Sequence, residues 1–227
     1  MSNVHDGHRQ RMKERFLQEG FENFKDHELL EFLLFFTVPR INTNELAHEL
    51  IDRFGGFSEV FDAEVSELTD VKHITENSAI MLKSVMQLAR EYSIRSVYKK
   101  AMDNYDAVFE YFRYQFMTET DEVVKLSCLD DRMVVTACEI VSKGAPSTVP
   151  LNVRKIVELT YKNKADKIML AHNHPNGVAE ASQNDITATR YLYRVLKTVG
   201  ITMLDHIIVG RNSECSMKNC GILSLID

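Results

Sequence analysis

The sequence has no tryptophan, only four prolines, nine glycines and four cysteines in 227 residues. So little proline and glycine excludes collagen-like and low-complexity chains. The longest apolar cluster, Phe32 to Phe36, is far shorter than the ~18 residues of a membrane-spanning helix, so we expect no contact with a membrane. The polar start has no signal-peptide core, and together with the few cysteines this predicts a protein of the reducing cytoplasm rather than a disulfide-held scaffold.

Positive charge is also scarce, with 27 Lys and Arg against 33 Asp and Glu and a net charge of −6. The first 100 residues carry 13 against 17, a net charge of −4. Bulk charge therefore does not predict nonspecific binding to nucleic acid. One basic cluster near the start is either the solvated beginning of a helix or an arm that contacts phosphates. Its members are Arg9, Arg11, Lys13 and Arg15.

Apolar residues make up 44% of the chain, enough to form a core in each of two small domains. Residues 1–101 have helical periodicity throughout. The dense apolar run LLEFLLFF, which begins at Leu29, predicts the central helix of a small bundle, and Pro39 ends it. The polar, basic stretch from Ser96 to Asn104 predicts a linker, so we place the domain boundary between residues 101 and 102.

Residues 102–227 alternate between strand and helix patterns, which predicts a layered α/β domain. The predicted strands cover Glu122–Leu129, Met133–Val141, Lys167–Ala171 and Ile201–Val209. The predicted helices cover Asp103–Phe116, Asn152–Lys162 and Asp185–Val199.

A motif with metal-binding chemistry follows the third predicted strand. HNHPNG occupies residues 172–177, and Ser182 and Asp185 come next. His172 and His174, two residues apart at a strand end, point to the same side, and the next helix start returns Asp185 toward them. Two imidazoles and one carboxylate are the three protein ligands of a zinc site whose fourth position is open. A water bound at that position would have its pKa lowered toward ~7.

A structural interpretation of the same residues stays open. Ser182 is a good N-cap, and Asp185 stands three residues later, as in a capping box. The two interpretations do not exclude each other, because a capped helix start would hold Asp185 rigidly.

The pattern H-x-H-P-x6-S-x2-D resembles the signature of the JAMM (MPN-type) metalloprotease domain, and HNHPNG in particular resembles the RadC family. CEIVSKGA, which contains Glu139 and Gly144, and LDHIIVG at Leu204 to Gly210 are similar to further RadC segments. The similarity is strong over residues 102–227. In the first half DHELLEFLL, NELAHELIDRFGG and QLARE follow the RadC order.

This resemblance implies a small all-α domain followed by an α/β domain, whose mixed sheet with flanking helices is similar to those of JAMM proteins and cytidine deaminases. It implies that His172, His174 and Asp185 bind Zn²⁺. It also implies that Glu139 is the general base and that Ser182 donates a hydrogen bond to the developing oxyanion. The implied reaction is hydrolysis of an amide or isopeptide bond in a protein or peptide substrate.

The N-terminal half departs from the family at one hairpin. RadC proteins are similar there to helix-hairpin-helix modules, whose Gly-x-Gly turn presents backbone N–H groups to a DNA phosphate. Here His73 and Thr75 stand at the two glycine positions, where a Cβ crowds the phosphate and a positive φ is costly. Glu76 adds a negative charge, so we expect weak DNA binding and a fold kept for packing or protein contact.

Two weaker pairs complete the candidates. Asp205 and His206 have no nucleophile beside them, so we expect packing or support of the metal site. Cys215 and Cys220 are separated by four residues, longer than the C-x2-C spacing of a zinc ribbon, and are expected to be ordinary thiols.

Two other functions stay open from the sequence alone. One is a DNA-repair-associated or DNA-binding protein whose metal site is structural or vestigial. The other is a zinc deaminase, although the H-x-E and P-C-x-x-C patterns of that class are absent from the sequence. Retention of all five chemical positions favours the hydrolase.

Overall fold

A computed structural model describes residues 4–97, 100–144 and 151–223. Its contacts divide the chain into two units, Met1–Ala89 and Arg90–Asp227. This division lies ahead of the predicted boundary at residues 101 and 102, because Val97 and Met102 are both buried in the second unit's core. Residues 98 and 99 of the predicted linker lie outside the described residues. Met102, the first residue of the predicted second domain, is 3% exposed.

The first unit is helical over its described residues, as predicted. Asn42 caps the third helix by accepting a hydrogen bond from the Asn44 amide, and Gly55 ends it in the left-handed conformation (φ +92°). The helices are α1 (Val4–Glu19), α2 (Asp26–Leu34), α3 (Thr43–Phe54), α4 (Phe57–Asp62), α5 (Val65–Thr69) and the start of α6 (Glu76–Val97), which continues into the second unit.

The apolar run of α2 is buried on two sides, which confirms its prediction as a central helix. Leu30 and Leu34 are fully buried in the main core with α3 to α6, whereas Phe32 packs in a second cluster with Met12 and Phe24. A helix that packs on both sides in this way requires apolar residues around most of its circumference.

Over residues 100–144 and 151–223, the second unit contains one five-stranded sheet with the order β2-β1-β3-β4-β5. The β1 strand pairs antiparallel with both β2 and β3, β3 pairs parallel with β4, and β4 pairs antiparallel with β5. The sheet is therefore mixed, as predicted. Its elements are α7 (Tyr105–Phe116), β1 (Val123–Leu129), β2 (Val135–Lys143), α8 (Val153–Lys162), β3 (Lys167–His174), α9 (Gln183–Thr198), β4 (Thr202–Gly210) and β5 (Glu214–Ser216).

The central strand β3 is buried on both faces. Ile168 and Leu170 pack toward α8 and α9, whereas Met169 and Ala171 pack toward α7. The strand continues through His174, so both histidines of the motif lie inside the sheet and not in the turn after it. Because side chains alternate along a strand, His172 shares the face of Ile168 and Leu170. The register of β3 thus fixes which layer receives the imidazoles.

No helix among the described residues is both long enough and apolar enough to cross a bilayer.

Candidate metal centre

The two imidazoles of the motif meet at the end of β3. The Nε2 atoms of His172 and His174 are 3.1 Å apart, and the rings are tilted by 56°. Both nitrogens point into the same space because the residues are two apart on one strand. The sequence prediction that they face the same side is confirmed.

Asp185 is brought to this space by the first turn of α9. Ser182 is the N-cap, and its hydroxyl accepts a hydrogen bond from the Asp185 amide at 3.2 Å. In return Oδ2 of Asp185 accepts hydrogen bonds from the Ser182 amide (2.9 Å) and the Ser182 hydroxyl (2.6 Å). The other carboxylate oxygen, Oδ1, lies 3.7 Å from Nε2 of His172. The capping box therefore orients one oxygen of Asp185 toward the imidazoles.

His174 has a defined tautomer. Its Nδ1 is 2.9 Å from the carbonyl oxygen of Val178, which only accepts hydrogen bonds, so Nδ1 carries the proton and Nε2 has a free lone pair. The loop that supplies this carbonyl sits tightly against the end of β4. A Cβ on Gly210 would lie 2.7 Å from the amide nitrogen of Ala179 and 2.8 Å from the carbonyl oxygen of Gly177. Position 210 thus requires glycine for the loop to reach His174.

His172 is supported from behind by a second buried histidine. Its Nδ1 is 2.9 Å from Nε2 of His206, and Nδ1 of His206 is 2.6 Å from the Thr189 hydroxyl. Burial lowers the pKa of His172 to about 4, although the nearby Asp185 opposes this shift. Burial likewise places the pKa of His206 well below its usual value. Both imidazoles are neutral at pH 7, the state in which a histidine binds a metal.

The donor set fits a zinc ion. Within the described part of the chain, one nitrogen each from His172 and His174 and one oxygen from Asp185 lie within 4.8 Å of one another. Ligand atoms placed 2.0–2.1 Å from zinc at tetrahedral angles are about 3.3 Å apart. The nitrogen–nitrogen distance of 3.1 Å and the nitrogen–oxygen distance of 3.7 Å bracket that value.

The structure does not bring Glu139 to these three residues. Its carboxylate is 3.2 Å from Nζ of Lys162 at the end of α8. In the sheet Glu139 lies opposite Leu126, whereas His172 lies opposite Val124, so Glu139 is further along the sheet. Its side chain is 33% exposed.

An open cavity of about 580 Å³ adjoins His174. The turn after β3, the residues that precede β1 and the residue that follows β2 line it together with His174. Apart from His174, the lining residues are Thr120, Asp121, Glu122, Gly144, Pro175, Asn176 and Gly177.

Two supporting residues were missed from the sequence. Asn173, on the opposite face of β3 from the histidines, accepts a hydrogen bond from the Val123 amide (2.7 Å) and donates one to the Asp121 carbonyl (2.9 Å). Thr189, one helical turn after Asp185 in α9, contacts His206 through its hydroxyl. For Asn173 the available sequence signal was an asparagine that follows directly on an apolar strand. Thr189 gave no signal, because a threonine within a helix is common.

Comparison with known proteins agrees with these features. The model of the RadC-like JAB domain matches residues 102–222, and the UPF0758 N-terminal model matches residues 6–80. A UPF0758 protein of Ruegeria pomeroyi is 32% identical over 217 residues, which cover 95% of this chain and 97% of the relative. The match to the JAB domain covers more than half of the chain. The strand, turn and helix start that gather His172, His174 and Asp185 thus lie in a chain that belongs to the family of RadC-like JAB domain proteins.

Proposed function

We propose that this protein is a zinc-dependent hydrolase that cleaves an amide or isopeptide bond in a protein or peptide. The observation that carries the proposal is the meeting of two imidazole nitrogens and one carboxylate oxygen at zinc-like separations. A site with three protein ligands leaves a coordination position for chemistry, whereas structural zinc sites are closed by four ligands. The cavity beside His174 supports access from solvent.

The protein residues prepare the site in three ways. The Val178 carbonyl holds His174 in the tautomer that presents Nε2. The buried contact with His206 orients the ring of His172, and the capping box orients Oδ1 of Asp185. A zinc ion bound by these residues would supply a Lewis acid and lower the pKa of a bound water toward ~7.

The proposal gives Glu139 the role of general base and Ser182 that of hydrogen-bond donor to the oxyanion. Each role requires a side chain to exchange its present partner. Glu139, which lies further along the sheet, must release Lys162 and approach the three ligands, and the Ser182 hydroxyl must turn away from Oδ2 of Asp185. Both groups are at least partly exposed, so neither exchange requires a buried side chain to move.

Metal analysis tests the proposal. The protein, loaded with zinc and dialysed against a weak chelator, should hold about one zinc per chain. His174→Ala should lose it, because two remaining ligands do not retain zinc against a chelator. His48→Ala, a histidine of the helical unit, is the matched control and should keep it.

Hydrolysis is then measured on peptide and isopeptide libraries with the zinc-loaded protein. Activity that is lost with His174→Ala and kept with His48→Ala supports the proposal. A protein that binds no zinc after reconstitution, or one whose zinc survives His174→Ala, contradicts it.

A further inference from the structure

Two cysteines lie in contact near the end of the described chain. The sulfur atoms of Cys215 and Cys220 are 3.3 Å apart. Cys215 is half-buried on β5, whereas Cys220 is exposed. An S–S bond is about 2.05 Å long, so closing this pair to a disulfide requires an approach of about 1.2 Å.

The turn between the two cysteines is well defined. The Cys220 amide donates to the Ser216 carbonyl at 3.0 Å, and the Asn219 amide donates to the Ser216 hydroxyl at 3.0 Å. Buried Asp205 on β4 holds the same turn by accepting hydrogen bonds from the Ser216 hydroxyl and from the Lys218 amide. The two thiols therefore meet because the backbone is anchored, and not through a chance side-chain rotamer.

The other two cysteines provide an internal contrast. Cys128 packs on the face of the sheet toward α8 and α9, and Cys138 packs toward α7. The register places Cys128 opposite Ala137 and Cys138 opposite Ser127, so these thiols point to opposite faces of the sheet. They are unable to form a disulfide with each other without refolding of the strands.

We propose that Cys215 and Cys220 form a redox-active dithiol that closes reversibly to an intramolecular disulfide, with hydrogen peroxide as the oxidant. The exposed thiolate of Cys220 attacks one peroxide oxygen, the O–O bond breaks, and a sulfenic acid and one water form. The Cys215 sulfur then attacks the Cys220 sulfur, the S–O bond breaks, and a second water leaves with the remaining thiol proton. Two thiols and one peroxide give one disulfide and two waters.

The order of these steps follows from exposure. Burial, together with the hydrogen bond to Cys220, raises the pKa of the Cys215 thiol to about 12, so Cys215 is a poor first nucleophile. A thiol that is in contact with the sulfenic acid still resolves it, because proximity replaces reactivity. A low-molecular-weight thiol would regenerate the dithiol by exchange. In compartments that keep thiols reduced, disulfides of this transient kind serve redox sensing.

The disulfide would lock a turn that supports the interior. The Met217 amide in this turn donates to the His206 carbonyl at 3.0 Å. The Asp205 carboxylate accepts hydrogen bonds from the residues on either side of Met217, namely from the Ser216 hydroxyl and the Lys218 amide. Oxidation should therefore slow amide hydrogen exchange at Met217 and Cys220, whose amides open when the turn opens. This inference does not depend on zinc binding.

Peroxide titration of the reduced, metal-free protein tests the inference. Free thiols should fall from four to two per chain, with a mass loss of about 2 Da. Trypsin cleaves after Arg211 and Lys218 and thus separates the two cysteines, so the disulfide appears as two linked peptides that dithiothreitol releases. Cys220→Ser should lose the product, and Cys138→Ser should keep it.

Three outcomes overturn the proposal: three thiols that persist while Cys220 is oxidised to the sulfinic acid, linkage through Cys128 or Cys138, or product formation in Cys220→Ser. Peptide mapping of the unsubstituted protein decides the result even where a variant fails to fold.

Discussion

The buried polar side chains of the two units differ in what their hydrogen-bond networks connect. In the described part of the helical unit, Glu31 is the one buried charged residue, and His8, Thr43 and Asn44 each contribute a contact to its carboxylate. That network ties α1 and α3 to α2 and ends there. In the α/β unit the buried chain of Thr189, His206 and His172 continues to His174, which lines a cavity. Burial of polar groups indicates chemistry only where the network reaches an accessible ligand atom.

A second contrast concerns the hairpin of the helical unit. His73 adopts φ +73° between α5 and α6, so the turn is formed although a histidine stands where the related modules have glycine. Histidine tolerates this conformation better than most residues. The positive φ at His73 therefore affects the stability of the turn and does not prevent the turn from forming.

The basic cluster of α1 is partly engaged in contacts within the protein. Arg9 donates hydrogen bonds to the Val38 and Ile41 carbonyls, and Arg15 pairs with Glu19 and Glu28.

The largest expected effect concerns the proposed base. Glu139→Gln in the zinc-loaded protein should lower the hydrolysis rate by ~10²–10⁴-fold, because Gln is nearly isosteric but accepts no proton. Zinc content and melting temperature should stay unchanged. Steady-state kinetics beside metal analysis measure both.

Glu158→Gln is the matched control, because Glu158 is another carboxylate paired with a cation on α8. Equal rates for the two variants would reduce Glu139 to a surface ion-pair partner of Lys162. Loss of zinc in Glu139→Gln alone would instead make it a ligand.

Stability against pH sharpens the contrast between the interiors. In the metal-free protein the pKa of His172 falls from 6.5 in the unfolded chain to about 4 in the folded one, so below pH 6.5 the unfolded state binds the extra proton. The stability that the folded protein gains by keeping His172 neutral is therefore present above pH 6.5 and is lost as pH falls toward 4. The free energy of unfolding should drop by about 3 kcal/mol across that window.

Urea unfolding of the chelator-treated protein at several pH values measures this dependence. His172→Gln has no group that titrates there, so its unfolding free energy should show a shallower pH dependence. Identical slopes would mean that His172 is hydrated in the metal-free protein.

Helix caps offer a paired test, one in each unit. Ser182→Ala and Asn42→Ala each remove an N-cap and should each cost about 1 kcal/mol, measured by thermal unfolding. Only Ser182→Ala should weaken zinc binding, by about tenfold, because Asp185 then loses the hydroxyl that orients it. Equal zinc affinity in both variants would show that the Ser182 cap has no part in the metal centre.

The smallest effect is expected for DNA. Binding of a labelled hairpin at physiological salt should be no tighter than ~10⁻⁴–10⁻⁶ M, the usual nonspecific range. The double substitution Arg11→Gln with Lys13→Gln should weaken this DNA binding a few-fold. Arg9 and Arg15 are left unchanged because their contacts hold α1 in place. Structure-specific nanomolar binding that survives this double change would favour the DNA-associated function.

Sequence reasoning predicted the element order because local signals there were strong. Apolar alternation identified β1, a short apolar run identified β3, and Ser182 identified the start of α9. The short strand β5 was missed, since three residues of mixed polarity carry no periodic signal and depend on pairing with β4. The end of β3 was placed too early because the apolar run ends at Ala171, whereas the strand continues through the polar residues up to His174.

The candidate site was predictable where its residues are close in sequence. His172, His174 and Asp185 lie within one strand–turn–helix segment, so their meeting followed from local geometry. The contacts of His206 and Cys220 depend on how β4 and β5 pair with their neighbours, which spacing does not encode. Glu139 was placed by resemblance alone, and its partner Lys162 comes from a helix that the sequence could not position against β2.

The chain of contacts from Met217 to His174 has two proton arrangements, and only the second places a hydrogen between the Nε2 atoms of His172 and His174. In one, His172 donates from Nδ1 to His206, His206 donates to Thr189, and the Thr189 hydroxyl turns to the Met217 sulfur at 3.6 Å. In the other every donor reverses, and His172 donates from Nε2 to His174. Only the first leaves Nε2 of His172 able to bind a cation. The direction of one threonine hydroxyl in α9 therefore determines whether the centre can accept a metal, without any heavy atom moving.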